Sequence, residues 1–247
     1  MPKCIFCKLE TGPFTTREHI LPESLGGGDW ATLPYGLFCD QCQNSFGSSI
    51  EQQALDNYPF SLFRVFLGIP TKKRKPPWLK SWEGIVKASL QPGVIGYEPT
   101  KPFMKATEAG EKTQIRILAH PTNPHMVCRF LLKMGIEVLA ADDPHAVFNE
   151  KFDKARDFAL LGKKHDDWWY LQYEDISAAS YYINRGVTIQ EWMENVKLEV
   201  LIIEDGAEMF HLKLLYMDLF TPLEPRIKPP PKDSLDEPQY RLFLIGE

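Results

Sequence analysis

The order of apolar and polar residues along the chain predicts helices in its first quarter and in its middle. Three stretches place apolar residues three or four positions apart, as one face of a helix requires. They are the stretch from Cys42 to Asn57, residues 123–141, and residues 144–161, which Gly162 ends. In the first stretch the repeating apolar residues are Phe46, Ile50 and Ala54.

Shorter stretches rich in apolar and β-favouring residues predict strands. They are residues 18–21, 36–38, 84–90, 114–118, 178–183, 197–204, 210–219 and 240–245. The run Glu-Asp-Gly-Ala at 204–207 predicts a hairpin turn between two of them. The first two strands and the first helix predict a small hairpin-and-helix unit, and the remainder predicts an α+β fold with a mainly antiparallel sheet.

These elements divide the chain into three segments. Residues 1–57 form the hairpin-and-helix unit, residues 58–82 a basic linker that contains prolines, and residues 83–247 the α+β domain. Pro76 and Pro77 make the linker a poor helix former. We expect the third segment to recognise a substrate, or a protein or small-molecule partner.

Composition places the chain among globular proteins. Of its 247 residues, 44% are hydrophobic and 25% are charged, which excludes wholesale disorder. No apolar run approaches the roughly 20 residues of a membrane-spanning helix, and no apolar signal-peptide core follows the start, so we expect a cytoplasmic location and no membrane partner. The net charge of -5 excludes a protein that coats nucleic acid by charge alone, so any such contact must come from a local patch.

Four of the five cysteines form two closely spaced pairs, Cys4 with Cys7 and Cys39 with Cys42. Two such C-x2-C turns can place four thiolates around one ion, which predicts a zinc site in a reducing compartment. Four thiolates fill the coordination sphere, so the zinc is expected to be structural rather than catalytic. Redox-active or incidental pairs are the alternative. Cys128 lies in an apolar stretch and is expected to be a buried hydrophobe.

The loop between the two cysteine pairs carries a specific motif. Residues 18–27 read Glu-His-Ile-Leu-Pro-Glu-Ser-Leu-Gly-Gly, and an Asn and a Phe-Gly pair follow the second cysteine pair. Over residues 4–57 this order resembles the HNH endonuclease family, in its zinc-bearing branch with an EHIxPxxLGG core. The resemblance implies a ββα-metal module that hydrolyses phosphodiester bonds, of DNA more than of RNA, and leaves 5'-phosphate and 3'-hydroxyl ends.

The resemblance also implies a role for individual residues. His19 corresponds to the general base that activates water, and Glu18 before it corresponds to a ligand of a catalytic divalent ion. A further ligand comes from the start of the helix, where Asn44 or Gln43 offers an amide oxygen. Oxygen ligands suit magnesium or manganese, whereas thiolates select zinc, so two different metals in one module are chemically coherent.

The sequence departs from the family pattern in two places. The family usually has His or Asn directly after the last cysteine, whereas here Gln43 stands there and Asn44 follows. The family also has an Asn before the second cysteine pair, where this chain has Tyr35 and Gly36. That Asn orients the catalytic His in relatives, so we expect another group, such as a backbone carbonyl, to hold His19.

Positive charge is concentrated just after the motif. Residues 61–90 carry seven Lys and Arg against one Glu. With Arg17, the patch is expected to bind the phosphate backbone through Lys72, Lys73, Arg74 and Lys75, while Trp78 or Trp82 stacks on an exposed base. A solvated linker between domains is the alternative.

Three functions remain open on this sequence. The first is a metal-dependent HNH-type endonuclease whose partner is nucleic acid, DNA above all. The second is a zinc-stapled nucleic-acid-binding protein that does not cleave. The third is a regulated effector, for example of prokaryotic defence, that is silent until its C-terminal domain meets a ligand or partner.

Overall fold

A computed structural model describes residues 2–71, 74–89, 95–111, 114, 119–163 and 167–246. None of the helices formed by these residues is long and apolar enough to cross a lipid bilayer. The predicted strand at 114–118 lies almost entirely outside the described residues, as do Lys72 and Lys73 of the predicted phosphate contact.

The N-terminal part combines loops with a segmented helix. Helix α1 (Asp40–Phe46) continues through a π-helical turn (Gly47–Glu51) into α2 (Gln52–Leu55), which confirms the first predicted helix. Helix α3 (Phe60–Leu67) follows. It occupies the first part of the predicted linker, and its Phe60 and Phe63 are fully buried, so this part of 58–82 is a packed helix rather than a linker.

The predicted N-terminal hairpin pairs differently from expectation. His19 forms an antiparallel bridge with Thr32, flanked by hydrogen bonds from Ile20 N to Ala31 O (2.8 Å) and from Leu33 N to Glu18 O (2.9 Å). Residues 36 and 37 instead accept hydrogen bonds from residues 3 and 5. The prediction that residues 36–38 pair with 18–21 was therefore wrong, because the nearer segment 31–33 reaches the histidine strand first.

Two antiparallel sheets follow. The first has strands β1 (Trp78–Lys80), β2 (Gly84–Ala88) and β3 (Ile95–Pro99) in that order. The second contains β4 (Trp168–Glu174), β5 (Val196–Ile202), β6 (Glu208–Leu214), β7 (Met217–Pro222) and β8 (Tyr240–Ile245) in the order β5-β6-β7-β4-β8. The α+β class with an antiparallel sheet is confirmed.

Two strand predictions in this region need correction. Residues 178–183 belong to helix α7 (Ile176–Arg185), because the Asp175 side chain accepts from Ala178 N at the start and Gly186 ends the helix. The run 210–219 is not one strand but parts of β6 and β7, separated by a turn in which Leu215 has a φ of 54°. The turn predicted at 204–207 does connect β5 to β6.

The remaining helices are α4 (Lys101–Glu108), α5 (Pro124–Asp142), α6 (Asp153–Leu161) and α8 (Ile189–Glu194). The second predicted helix is confirmed as α5, whereas only the second half of the third, predicted over 144–161, is α-helical. Helix α5 lies between the five-stranded sheet and the N-terminal helices, and its buried side chains contact both. Gly135 permits this close approach, since a Cβ there would lie 2.8 Å from Phe210 Cβ.

One hydrophobic core joins the N-terminal part to the rest. Trp192 of α8 is fully buried and packs on Phe63 of α3, with ring centroids 5.3 Å apart. Its indole Nε1 donates a hydrogen bond of 2.8 Å to the carbonyl of Leu25. The boundaries 1–57, 58–82 and 83–247 stay a prediction, but the segments on either side of them share buried contacts.

Candidate active site and zinc centre

The four paired cysteines converge on one point. Their sulfur atoms all lie within 4.8 Å of one another, and the Sγ atoms of Cys7 and Cys39 are 3.7 Å apart. A tetrahedral zinc with bonds of about 2.3 Å would separate its sulfur ligands by about 3.8 Å, so the cluster fits a structural zinc. The hydrogen bond between Cys4 and Cys42 lowers the pKa of Cys4 to about 4 and raises that of Cys42, so this pair shares a proton and holds one thiolate.

A small aromatic core surrounds the zinc site. Phe6, Phe38 and Phe46 are buried, with ring centroids 4.6 to 5.9 Å apart. The same loop also buries Ile20, Leu21 and Leu33 in the core that it shares with the rest of the chain, so the metal adds stability to that core. Cys128 lies apart from this cluster, fully buried in α5 as expected, and burial raises the pKa of its thiol to about 12.

His19 lies at the surface of the loop that the cysteine pairs close. Its side chain is 25% exposed, and its Nε2 is 3.8 Å from Glu23 Oε1. The Nδ1 atom is buried and has no hydrogen-bond partner among the described residues, so the expected backbone carbonyl is not found there. The bridge to Thr32 fixes the backbone of His19, whereas the orientation of its ring depends on packing.

The glycines of the motif are required by the turn after His19. Gly26 has a φ of 79°, and a Cβ there would lie 2.9 Å from the indole nitrogen of Trp192. A Cβ on Gly27 would lie 1.6 Å from the carbonyl oxygen of Leu21, which no side chain could accommodate. The turn thus folds back tightly onto the histidine strand and offers the Leu25 carbonyl to Trp192.

Glu18 does not face solvent beside His19 but lies in a buried ionic cluster. Lys133 of α5 is fully buried, and its Nζ lies 2.6 Å from Glu18 Oε1, 2.9 Å from Glu51 Oε1 and 3.0 Å from Glu137 Oε2. Burial alone would lower the pKa of Lys133, but the three carboxyl groups raise it well above its usual value. The ammonium is therefore charged and neutralises the carboxylate next to His19.

Glu137 completes this cluster from one helical turn beyond Lys133. Burial raises the pKa of its carboxyl well above the usual range, in spite of the nearby ammonium. Because three carboxyl groups surround one ammonium, the stability of the cluster depends on the charge of Lys133. A Lys and a Glu four residues apart in the otherwise apolar run 130–141 were the sequence signal for this cluster, and the sequence analysis did not use it.

The predicted ligands of a catalytic ion are not brought together in this structure. Glu18 is bound to Lys133, the Gln43 side-chain nitrogen donates to the Arg17 carbonyl (3.3 Å), and Asn44 is exposed on a shallow pocket that it shares with Asp40. The donors therefore do not fit an ion in this arrangement, and ligation by these three residues stays a prediction.

The predicted phosphate contacts are partly described. Arg17 is exposed, but its guanidinium pairs with Asp29 (2.6 Å) and donates to Thr32 Oγ1 (3.0 Å). Arg74 and Lys75 are exposed on a turn before β1. Arg17 thus supports the His19 loop locally, while Arg74 and Lys75 remain open to a ligand.

The family comparison agrees with the motif and the cysteine cluster. Residues 4–59 match the model of the HNH endonuclease family, so this part of the chain is an HNH domain with a cysteine cluster suited to zinc. Neither a curated protein nor a solved structure matches the chain. The match ends before the two sheets, and it does not include Lys133 or Trp192.

Proposed function

We propose that the protein is an HNH-type endonuclease that hydrolyses phosphodiester bonds in nucleic acid, DNA more than RNA. The observation that carries the proposal is the HNH family match over residues 4–59, which contains His19 in the loop closed by the four cysteines. The zinc has a structural role, because four sulfur ligands leave no position for water or substrate.

In this proposal His19 is the general base. Its partly exposed ring can take a proton from the attacking water, whose oxygen bonds to phosphorus as the bond from phosphorus to the 3'-oxygen breaks. The 3'-oxygen takes up a proton from solvent, which leaves a 5'-phosphate and a 3'-hydroxyl end. Glu23, whose carboxylate lies 3.8 Å from Nε2, can accept a hydrogen bond from the ring once it carries that proton. Sequence reasoning had not selected Glu23.

We also propose a requirement for magnesium or manganese, which HNH nucleases generally need. Glu18, Asn44 and Gln43 are the proposed ligands on family grounds only. Glu18 would have to exchange Lys133 for the ion, so the present arrangement does not support a step through the metal.

Binding without cleavage is the second candidate, and the same ion pair favours it. A carboxylate held by a buried ammonium is a poor ligand for a divalent ion, and Asn44 is exposed whereas Glu18 is buried. On this hypothesis the module keeps its zinc-stapled fold and its nucleic-acid contacts but lacks the metal-dependent step.

The deciding experiment is incubation of the purified chain with supercoiled plasmid in magnesium, in manganese and in EDTA. Nicked or linear product that depends on the divalent ion supports the endonuclease. The variant His19→Ala should lower the rate about 10²- to 10⁴-fold, the range that general-base catalysis contributes.

The matched control is His145→Ala, which removes an exposed histidine outside the residues that match the HNH family, 4–59. It should cleave at the wild-type rate. If the wild-type protein binds DNA but cleaves it in neither metal, the binding-only candidate is correct. If cleavage is present and His19→Ala cleaves as fast as His145→Ala, His19 is not the base.

A further inference from the structure

Strand β1 and the turn after it present a row of alternating side chains. From 78 to 83, every second residue is exposed and the residues between are buried. The exposed ones are Trp78, Lys80 and Trp82, which we call the Trp-Lys-Trp row. The two tryptophans are 58% and 75% exposed, so their rings are accessible to a ligand.

The row faces away from the protein. Leu79 and Val86 are buried on the other face of the three-stranded sheet, which packs on α3. β1 is an edge strand of that sheet, and Lys87 of β2 lies directly across from Trp78 on the outer face. The row is therefore carried by a sheet whose inner face is fixed to the core.

The described residues that lead into β1 are joined to one another and to β2 by backbone hydrogen bonds. Thr71 N donates to Lys75 O (2.9 Å), and Arg74 N donates to Thr71 O (2.7 Å). Pro77 then offers its carbonyl to Ala88 N (2.9 Å), which joins the turn to β2. Two exposed cations, Arg74 and Lys75, are thus fixed next to the first tryptophan.

The charge around the row is positive. In the part of the chain that the structure describes, no ion pair involves Arg74, Lys75 or Lys80. The carboxylate of Glu98 on the outer face is paired with Lys87 at 2.5 Å. Unpaired cations beside two exposed indoles complement an anionic ligand that has flat apolar faces.

We propose that the Trp-Lys-Trp row binds nucleic acid with unpaired bases. Tryptophan rings stack on bases of any sequence, and the neighbouring cations bind the phosphates between them. Trp78 lies in β1 and Trp82 in the turn after it, four positions further along the chain, so the two indoles can each meet a different base of an extended strand. In a duplex the faces of the bases are stacked on one another, so a duplex could bind the row only through its phosphates.

This inference rests on the proposed function and names its substrate class: single-stranded nucleic acid, or a duplex with an unpaired segment. The test measures binding alone, so that it can fail independently of cleavage. Fluorescence anisotropy is recorded in EDTA with a labelled single strand of DNA, with its blunt duplex, and with the matching RNA strand.

The wild-type chain should bind the single strand more tightly than the blunt duplex. Trp82→Ala should weaken single-strand binding about 5- to 150-fold and leave duplex binding unchanged, whereas Trp82→Phe keeps a stacking ring and should lose less. Lys80→Gln should instead reduce the slope of log affinity against log salt by about 0.7 for the single strand, because one phosphate contact is removed.

Tyr181→Ala is the matched control, since it removes an exposed aromatic ring, 56% accessible, from α7. It should bind both DNA forms as the wild type does. Equal losses on single strand and duplex, a Trp82→Ala affinity equal to the control, or no single-strand binding would each overturn the inference. So would a dimer that Trp82→Ala dissociates in light scattering, because β1 would then pair with a second copy.

Cleavage separates the two proposals. A protein that binds single strands through the row but never cuts retains this inference and loses the endonuclease. A protein that cuts plasmid at the same rate with and without Trp82→Ala, and shows no single-strand preference, retains the endonuclease and loses this inference.

Discussion

Replacing Lys133 with methionine tests whether the HNH domain depends on a cation from the C-terminal part of the chain. Methionine has nearly the length of lysine without the charge, so the packing of α5 is largely kept. The change leaves Glu18, Glu51 and Glu137 facing one another without the ammonium that now lies within 3.0 Å of each. Removal of one partner from a buried ion pair costs about 3–5 kcal/mol.

That loss is a large part of the stability of a typical protein, which is about 5–15 kcal/mol. For a chain of this length about 1 kcal/mol shifts the melting temperature by roughly 2–4 °C, so Lys133→Met should lower it by roughly 6–20 °C. Thermal unfolding followed by circular dichroism, with zinc in the buffer, measures the shift.

Lys197→Met is the control. Lys197 is 59% exposed and binds Glu199 at 2.8 Å on the surface, where such a pair is worth about 0–1 kcal/mol. The melting temperature of this variant should fall by no more than about 4 °C. If Lys133→Met has the same melting temperature as Lys197→Met, the three carboxyl groups do not need the ammonium, and the buried cluster is not what couples α5 to the HNH domain.

Two further predictions concern the zinc site and a histidine in the large sheet. Cys39→Ser should lower the zinc content from about one ion per chain and destabilise the HNH domain, because three thiolates remain for a four-coordinate metal; metal analysis by mass spectrometry checks this, with Cys128→Ser as the control that keeps full zinc. His211 lies between Asp218 (2.6 Å) and Glu199 (2.8 Å), and although burial opposes its charge, these hydrogen bonds raise its pKa above the usual value. A raised folded-state pKa adds stability that is complete below about pH 6.5, the pKa in the unfolded chain, and is lost as pH rises through the folded value. His211→Gln should therefore cost more stability at pH 6 than at pH 9 in urea unfolding, and an equal cost at both values would contradict the charged pair.

The sequence was sufficient to predict those features of the structure that depend on the spacing of nearby residues. The cysteine pairs, the tight turn at Gly26 and Gly27, and the apolar repeat of α5 each place their key residues within a few positions of one another. The zinc cluster was expected from the cysteine spacing, and the HNH match from the resemblance of the motif at residues 18–27 to that family. Both were therefore predictable without any tertiary information.

The features that the sequence did not predict depend on contacts between residues that are far apart in the chain. Glu18 and Lys133 are 115 positions apart, and no local pattern pairs them. The family pattern makes Glu18 a predicted metal ligand, and only the structure shows that its carboxylate also forms an ion pair with the buried Lys133. The prediction of a strand at 178–183 was wrong for a local reason. A short apolar run is compatible with the periodicity of a strand or of a helix, and here the Asp175 N-cap stabilises the helix.

The hydrogen bond from Trp192 to Leu25 has a consequence for the order in which the protein is made. The two residues are 167 positions apart, and Lys133 follows Glu18 by 115. At about 5–20 residues per second, the ribosome adds Lys133 roughly 6–23 s after Glu18 and Trp192 roughly 8–33 s after Leu25. The cysteines are complete by residue 42, so zinc can close the first loop early. The loop that carries His19 therefore gains its contacts with Lys133 and Trp192 only late in translation. The core of the HNH domain stays incomplete until those residues have been synthesised.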